Sequence, residues 1–296
     1  IDVATLNGAQ LDVNRGLTLN GLMSVGRVDG SGYGQVYFGD TGVASGAVSG
    51  NGSIILGGQG SNNIIYNYSD LGGADATLTL GPGITMHGKN GQIINRSASG
   101  TIINQGVIAA DVSGGTLNIG TNGAFVNQGT ISATNGAILT LSNAWSSTGT
   151  LSLGATSTLN LAGSFTQAGM GTFTRSGGTV NLTGTLTGNL ALNAGTGSWN
   201  LISGGTVRNG TLSTTGGSVL VVSNGVLDGM SVSSNSTVDL TIVNGAQASI
   251  FNGLTLNGNV NQGKADGSAY GQLYFGSAGN SAGTLSGNGT ITFGGN

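Results

Sequence analysis

The sequence predicts an all-β chain, a right-handed parallel β-helix (β-solenoid) whose coils take about 20–23 residues. Three observations carry that reading. Short segments alternate Leu, Ile or Val with Thr, Asn or Ser, Asn-Gly pairs separate the segments, and one strand–corner–strand unit returns every 20–23 positions without helices between its copies.

The strands come first. Ala76-Thr77-Leu78-Thr79-Leu80, Thr116-Leu117-Asn118-Ile119, Ile138-Leu139-Thr140-Leu141, Thr158-Leu159-Asn160-Leu161, Thr179-Val180-Asn181-Leu182 and Val238-Asp239-Leu240-Thr241-Ile242 each place apolar side chains on one face and small polar ones on the other. This is the pattern of a strand buried on one side. The corners follow. Asn tolerates positive φ and Gly prefers it, so Asn7-Gly8, Asn20-Gly21, Asn51-Gly52, Asn90-Gly91, Asn122-Gly123, Asn135-Gly136, Asn209-Gly210, Asn224-Gly225 and Asn244-Gly245 mark sharp bends. Taken singly these pairs suggest hairpins, but their spacing argues for the corners of a coil.

The coil repeat is read from one motif. Ile102-Ile103-Asn104-Gln105-Gly106-Val107-Ile108 returns 23 positions later as Phe125-Val126-Asn127-Gln128-Gly129-Thr130-Ile131. A degenerate copy, Ser146-Ser147-Thr148-Gly149-Thr150-Leu151, lies 20 further on, and Gly171-Thr172-Phe173-Thr174 another 22. At this coil size the chain makes about 14 coils, stacked at ~4.8 Å. Asn104 and Asn127, at equivalent corners, are placed to bond up the stack as a ladder. The right hand is expected because parallel crossovers are overwhelmingly right-handed.

A longer period encloses the short one. Residues 1–59 align without a gap on 238–296, an offset of 237, with 30 identities in 59 positions. The chain therefore reads as a single continuous solenoid over 1–296. Residues 1–237 form one long period and 238–296 begin the next. Neither end reads as a cap, so the expected completion is more of the same, by further tandem units or by coaxial stacking of separate chains. The zone 57–73 is the least regular and is expected as a loop off one coil.

Composition restricts the partners. Charged residues are 6% of the chain, there are 60 glycines and one proline, and all ten acids are aspartates. Straight-chain helix formers are scarce, which disfavours helix. Regular apolar alternation and low charge disfavour disorder. The seven Lys and Arg are scattered and net charge is −3, so nucleic acid is not an expected partner. No apolar run approaches the ~20 residues of a membrane helix, so no membrane insertion is expected. Without cysteine there are no disulfides or thiolate sites. Low charge and no thiols fit an extracellular or bacterial cell-surface protein.

The candidate chemistry is sparse. The aspartates are dispersed, whereas a polysaccharide-cleaving site needs paired acids, or an acid with a base, at a set separation. No catalytic residue is assigned and no enzyme is expected. His87 is the only histidine, read as a surface residue at a corner, with no partners for a triad or a metal. Gly57-Gly58-Gln59-Gly60-Ser61-Asn62 approaches a calcium-binding roll, but Asn62 replaces the carboxylate and no tandem copy follows; no metal or cofactor is assigned. Gly30, Gly32 and Gly34 match a phosphate loop only superficially, since no helix follows. The Thr-x-Thr pairs, such as Thr77 and Thr79, are too irregular for an ice-ordering array.

The densest cluster is Tyr33-Gly34-Gln35-Val36-Tyr37-Phe38, which returns as Tyr270-Gly271-Gln272-Leu273-Tyr274-Phe275. In a strand, Val36 and Phe38 share one face and Gln35 and Tyr37 the other. Arg27, Asp29, Tyr33, Gln35 and Tyr37, with Lys264, Asp266, Tyr270, Gln272 and Tyr274, are the candidate surface for a lateral contact between rods or for a surface glycan. The competing reading gives the aromatics a filling role in a wider coil.

The segments Gly-Leu-Thr-Leu-Asn-Gly (16–21 and 253–258), Leu80-Gly81-Pro82-Gly83-Ile84-Thr85-Met86-His87-Gly88-Lys89-Asn90-Gly91, the Asn-Gln-Gly-(Thr/Val)-Ile copies at 104–108 and 127–131, and Gly177-Gly178-Thr179-Val180-Asn181-Leu182-Thr183-Gly184 resemble the large Gly/Asn/Thr-rich β-strand-repeat proteins secreted by bacteria. More loosely, the chain resembles filamentous-haemagglutinin-type adhesins and autotransporter passenger domains. The resemblance implies a parallel β-helix and a fibrous or adhesive surface role, and it carries over no catalytic residue. The expected function is a structural segment of an extracellular fibre or adhesin stalk that associates with itself. The alternative is a carbohydrate- or partner-binding adhesin, and a polysaccharide-degrading β-helix enzyme ranks third.

Overall fold

A computed structural model describes residues 1–60 and 62–295. Strand makes up 52% of the described residues and helix 3%, and the strands wind into a parallel β-solenoid of about 12 turns. The chain falls into two compact units. One comprises Ile1–Asn160 with Gly169–Gly178; the other comprises Leu161–Ala168 with Thr179–Asn296.

In the first unit each coil contributes one strand to each of three parallel sheets. Asp2–Val3, Leu22–Val25, Ser53–Leu56, Thr85–Gly88, Val107–Ala110, Thr130–Ala133, Thr150–Leu153 and Thr172–Arg175 follow one another in the first sheet. Ala9–Val13, Gly34–Phe38, Ile64–Asn67, Asn90–Asn95, Thr116–Thr121 and Ile138–Leu141 lie in the second. The third holds Leu17–Thr18, Gly46–Ser49, Thr77–Leu80, Thr101–Asn104, Ala124–Asn127 and Ala144–Ser147. Successive coils pair in parallel, and only two isolated bridges among the described residues, Asp40 with Val43 and Ser277 with Asn280, are antiparallel.

The second unit winds the same way, but two of its faces merge in long bent strands. Asn224–Val232 pairs with Gly205–Arg208 along its first half and with Thr211–Thr214 along its second. The bend falls at Gly229, where φ is +59° and the register with Ala246–Leu256 shifts. Thr179–Leu182, Trp199–Leu201, Leu220–Val222, Thr237–Asp239, Asn259–Gln262 and Thr290–Phe293 form its remaining face.

The motif spacing read from the sequence is the register of the coils. Thr101 pairs with Ala124 and Val107 with Thr130, Thr130 pairs with Thr150, and Thr150 pairs with Thr172. Asn122-Gly123 and Asn135-Gly136 form corners as expected, with all four residues at positive φ, whereas Asn90-Gly91 and Asn224-Gly225 open the strands Asn90–Asn95 and Asn224–Val232 instead, because there both residues stay extended and join the ladder. The count of about 14 coils is too high. Leu22 pairs with Ser53, and Ser53 with Thr85, so the early coils are much longer than those at 101–172. Their strands stay at four or five residues while the corners lengthen. One such corner holds the Asp29–Ser31 turn and another the 3₁₀ turn Gly73–Ala76. The irregular zone 57–73 is likewise not all loop, because Ile64–Asn67 is a full member of its sheet, between Gly34–Phe38 and Asn90–Asn95. Ser61, in the segment that approaches a calcium roll, lies outside the described residues.

Inward side chains stack into apolar columns. Met23, Ile54, Met86, Ile108, Ile131 and Leu151 are consecutive partners in one column, and all are buried. Leu78, Ile102, Phe125 and Trp145 form another. Each such side chain contributes about 1.5–3 kcal/mol through removal from water. Asparagines buried at the corners carry a polar ladder beside these columns. Asn104 Nδ2 donates to Asn127 Oδ1 at 2.8 Å, and Asn127 Nδ2 donates to Ser147 Oγ at 3.0 Å.

Candidate functional site

The structure separates the candidate residues into two groups. Arg27, Asp29 and Tyr33 lie at a corner, and Gln35 and Tyr37 lie on the outer face of the strand that follows. Val36 and Phe38 point inward and are fully buried, as the alternation required.

At the corner the polar groups are spent on the chain itself. Arg27 Nε donates to Ala4 O at 3.3 Å, a second guanidinium nitrogen donates to Thr5 O, and Nη1 donates to Ser31 Oγ at 3.3 Å. Asp29 Oδ1 accepts from Ser31 N at 2.9 Å and from Ser31 Oγ at 2.7 Å. The bond from Ser31 N, then that from Ser31 Oγ, holds the Asp29 carboxyl below its ordinary value of 3.8. Tyr33 clamps the Asn7-Gly8 corner. Its N–H donates to Asn7 Oδ1 at 3.2 Å, its carbonyl accepts from Gly8 N at 2.8 Å, and its ring lies against Gly8.

The second copy reproduces the aspartate turn and the tyrosine clamp. Asp266 Oδ1 accepts from Ser268 N and Oγ at 2.9 and 2.7 Å, and Tyr270 N donates to Asn244 Oδ1 at 3.2 Å. Lys264 stands where Arg27 does, and an ammonium lacks the planar fork with which the arginine spans two carbonyls.

On the outer face, Tyr37 Oη donates to Gln35 Oε1 at 2.6 Å, and Gln10 Nε2 donates to the same oxygen at 3.3 Å. Tyr274, Gln272 and Gln247 repeat the arrangement at 2.8 and 3.4 Å. Around Tyr37 the structure adds three residues that the sequence reading left in the irregular zone or beyond it. Tyr66 stacks on Tyr37 with ring centroids 4.7 Å apart, and Tyr68 meets Tyr37 edge-on at 5.0 Å. The Arg96 guanidinium lies 4.3 Å from the Tyr68 ring centroid, and Arg96 Nη1 donates to Thr41 Oγ1 at 3.3 Å. Partial burial, then the phenols of Tyr66 and Tyr68, raises the Tyr37 hydroxyl above its ordinary value. The signal for this cluster was the Tyr66-x-Tyr68 pair one coil beyond Tyr37, hidden because that coil is longer than the motif repeat read over 101–131.

His87 corrects one expectation. It lies within the strand Thr85–Gly88, not at a corner, and its Nδ1 is 3.0 Å from Asp111 Oδ2, one coil on. Asp111 Oδ1 also accepts from Gly88 N at 3.2 Å. The pair becomes a salt bridge when the imidazole is protonated. Ala109 and Ile55 flank His87 on the adjacent strands, so no hydroxyl or thiol stands beside it there. Among the described residues no three His, Cys, Asp or Glu side chains gather as metal ligands. Thr77 and Thr79 have Thr101 and Ile103 as neighbours on the next coil, so this Thr-x-Thr pair is not continued there.

Compared with known proteins, the chain matches no family model, no curated protein and no solved structure.

Proposed function

We propose that this chain is a structural, non-enzymatic element: a length of β-solenoid serving an extracellular or cell-surface fibre or adhesin stalk and continued by units of its own kind. One observation carries the reading. The two copies of the 59-residue block share the contacts that build a coil and differ at several groups that could do chemistry. The Asp-x-Ser turn, the Asn–Tyr clamp and the Gln–Tyr pair recur with nearly identical distances. Asp12 becomes Ser249, Arg15 becomes Asn252 and Asp40 becomes Ser277. A repeat that keeps its folding contacts and lets such charges lapse is suited to mechanical continuity. No cofactor enters this reading, and the partner is the repeat itself.

The test is negative-stain microscopy of a polypeptide carrying four tandem 237-residue periods. Unbranched rods with an axial repeat of roughly 50 Å, about ten strand spacings, are the expected result. Compact or branched particles would exclude the reading. So would turnover of a polysaccharide that is lost on changing the aspartates.

A further inference from the structure

The two copies differ most in what covers them. In the first, the strands Gly34–Phe38, Gly46–Ser49 and Ser53–Leu56 are each followed in their sheets by a further strand: Ile64–Asn67, Thr77–Leu80 and Thr85–Gly88. In the second, Gly271–Phe275, Leu285–Ser286 and Thr290–Phe293 pair with the preceding coil only. The side chains register the difference. Phe38, Val48 and Leu56 are 0, 0 and 2% exposed, whereas their counterparts Phe275, Leu285 and Phe293 are 39, 49 and 72% exposed. These three edge strands carry no charged residue and no proline, the devices that blunt an edge against pairing.

Two hollows in the second copy lie where the next coil seats in the first. One, of about 160 Å³, is lined in part by Gly263, Tyr270, Gly271 and Phe293. In the first copy Asn63 occupies the corresponding place. Its Oδ1 accepts from Gly34 N at 3.1 Å, and it lies so close to Gly26 that a Cβ there would overlap it. Gly263 and Gly271 preserve both glycines. The other hollow, of about 140 Å³, is lined by Leu256, Leu285, Gly287, Gly289 and their neighbours. There the first copy seats the 81–85 corner: Gly81 N donates to Val48 O at 2.8 Å, Thr85 N donates to Gly52 O at 3.0 Å, and Gly83 abuts Gly50 and Asn51. Gly287, Asn288 and Gly289 stand at the positions of Gly50, Asn51 and Gly52.

We infer that the edge formed by residues 271–293 is a docking surface for one occupant, a coil with the sequence of residues 60–95 from a further copy of this repeat. An asparagine equivalent to Asn63 fills the first hollow, a Gly-Pro-Gly corner equivalent to residues 81–83 fills the second, and a tyrosine equivalent to Tyr66 stacks on Tyr274. The inference deepens the proposed function and takes from it the identity of the occupant.

The offset of 237 places Asn296 at position 59 of the period, so a segment with the sequence of residues 60–95 is appended directly after it. Hydrogen exchange is then compared with that of the unextended chain. The expected result is that edge amides in Gly271–Phe275 and Thr290–Phe293 exchange at least ten-fold more slowly and match their counterparts in 34–38 and 53–56. Unchanged exchange overturns the inference, as does equal protection from a segment of the same composition in scrambled order. If the extended chain does not fold, a synthetic peptide of residues 60–95 is titrated onto the full chain. Saturable slowing of the same amides supports the inference, and its absence overturns it. Because both measurements use a single chain, failure here with rods seen by microscopy removes the occupant and leaves the fibre reading standing; rods absent with slowing present does the reverse.

Discussion

Asn104 and Asn127 sit one coil apart at the same corner, joined by a 2.8 Å hydrogen bond from Nδ2 to Oδ1, and both side chains are buried. Asn127 also donates to Gly129 O and Thr150 O, so one amide closes its own corner and ties it to the next. Replacing it with leucine removes the buried bonds to Asn104, Ser147 Oγ and Thr150 O, while Gly129 O keeps the bond from Thr150 N; a buried polar group left unpaired costs about 1–3 kcal/mol. Asn127→Leu is therefore expected to cost about 3 kcal/mol in urea unfolding. Gln105→Ala, which removes an exposed amide contact to Gln128, is expected to stay within about 0.5 kcal/mol.

Phe125 fills its column between Ile102 and Trp145. Truncation to alanine leaves a cavity that parallel strands at fixed spacing cannot close. A loss of about 3–5 kcal/mol is expected, measured by thermal or urea denaturation of Phe125→Ala.

Glycines divide by what surrounds them. At Gly26, φ is +74° and an added Cβ would strike Asn63, while Gly21 has nothing within 4 Å and no positive φ. Gly26→Ala is expected to abolish folding of the early coils, seen as protease cleavage there. Gly21→Ala is expected to be neutral or to stabilise by up to about 1 kcal/mol.

Acid should loosen the turn at each copy. The folded carboxyls of Asp29 and Asp266 lie below their ordinary value, chiefly through bonds from Ser31 N and from Ser268 Oγ respectively. A depressed folded value means that the contribution is complete above the ordinary value of 3.8 and disappears as pH falls through the folded value. Carboxyl ¹³C titration is expected to give midpoints below 3.8 for both residues. Ser31→Ala should raise that of Asp29 and leave that of Asp266 in place.

The fold was legible where corners are short. From 101 to 175 the Asn-Gln-Gly motif and its degenerate copies match the strand register, because little intervenes between strands of four residues. It was illegible where corners lengthen. A strand fixes its neighbour by backbone bonding, but a corner accepts any length that returns the chain to the stack. The pairing of Ser53 with Thr85 therefore leaves no periodic trace. The same blindness hid His87 with Asp111 and Tyr37 with Tyr66, since a contact between coils can be read only when the coil length is known. Arg27 and Tyr33 were visible as conspicuous side chains, but their partners were not, because those partners are mostly backbone groups or corner side chains of the preceding coil.

The unequal corners also set how the chain would lengthen under tension. Parallel coils peel one at a time, and each releases the stretch between one strand and its partner above. At ~3.5 Å per extended residue, the coil between Ala124 and Ala144 releases about 70 Å of chain, and that between Ser53 and Thr85 about 110 Å. A repeat built this way is a spring with graded steps, and the longest lie near the start of each 237-residue period, between Leu22 and Thr85 and again between Leu254 and Leu285.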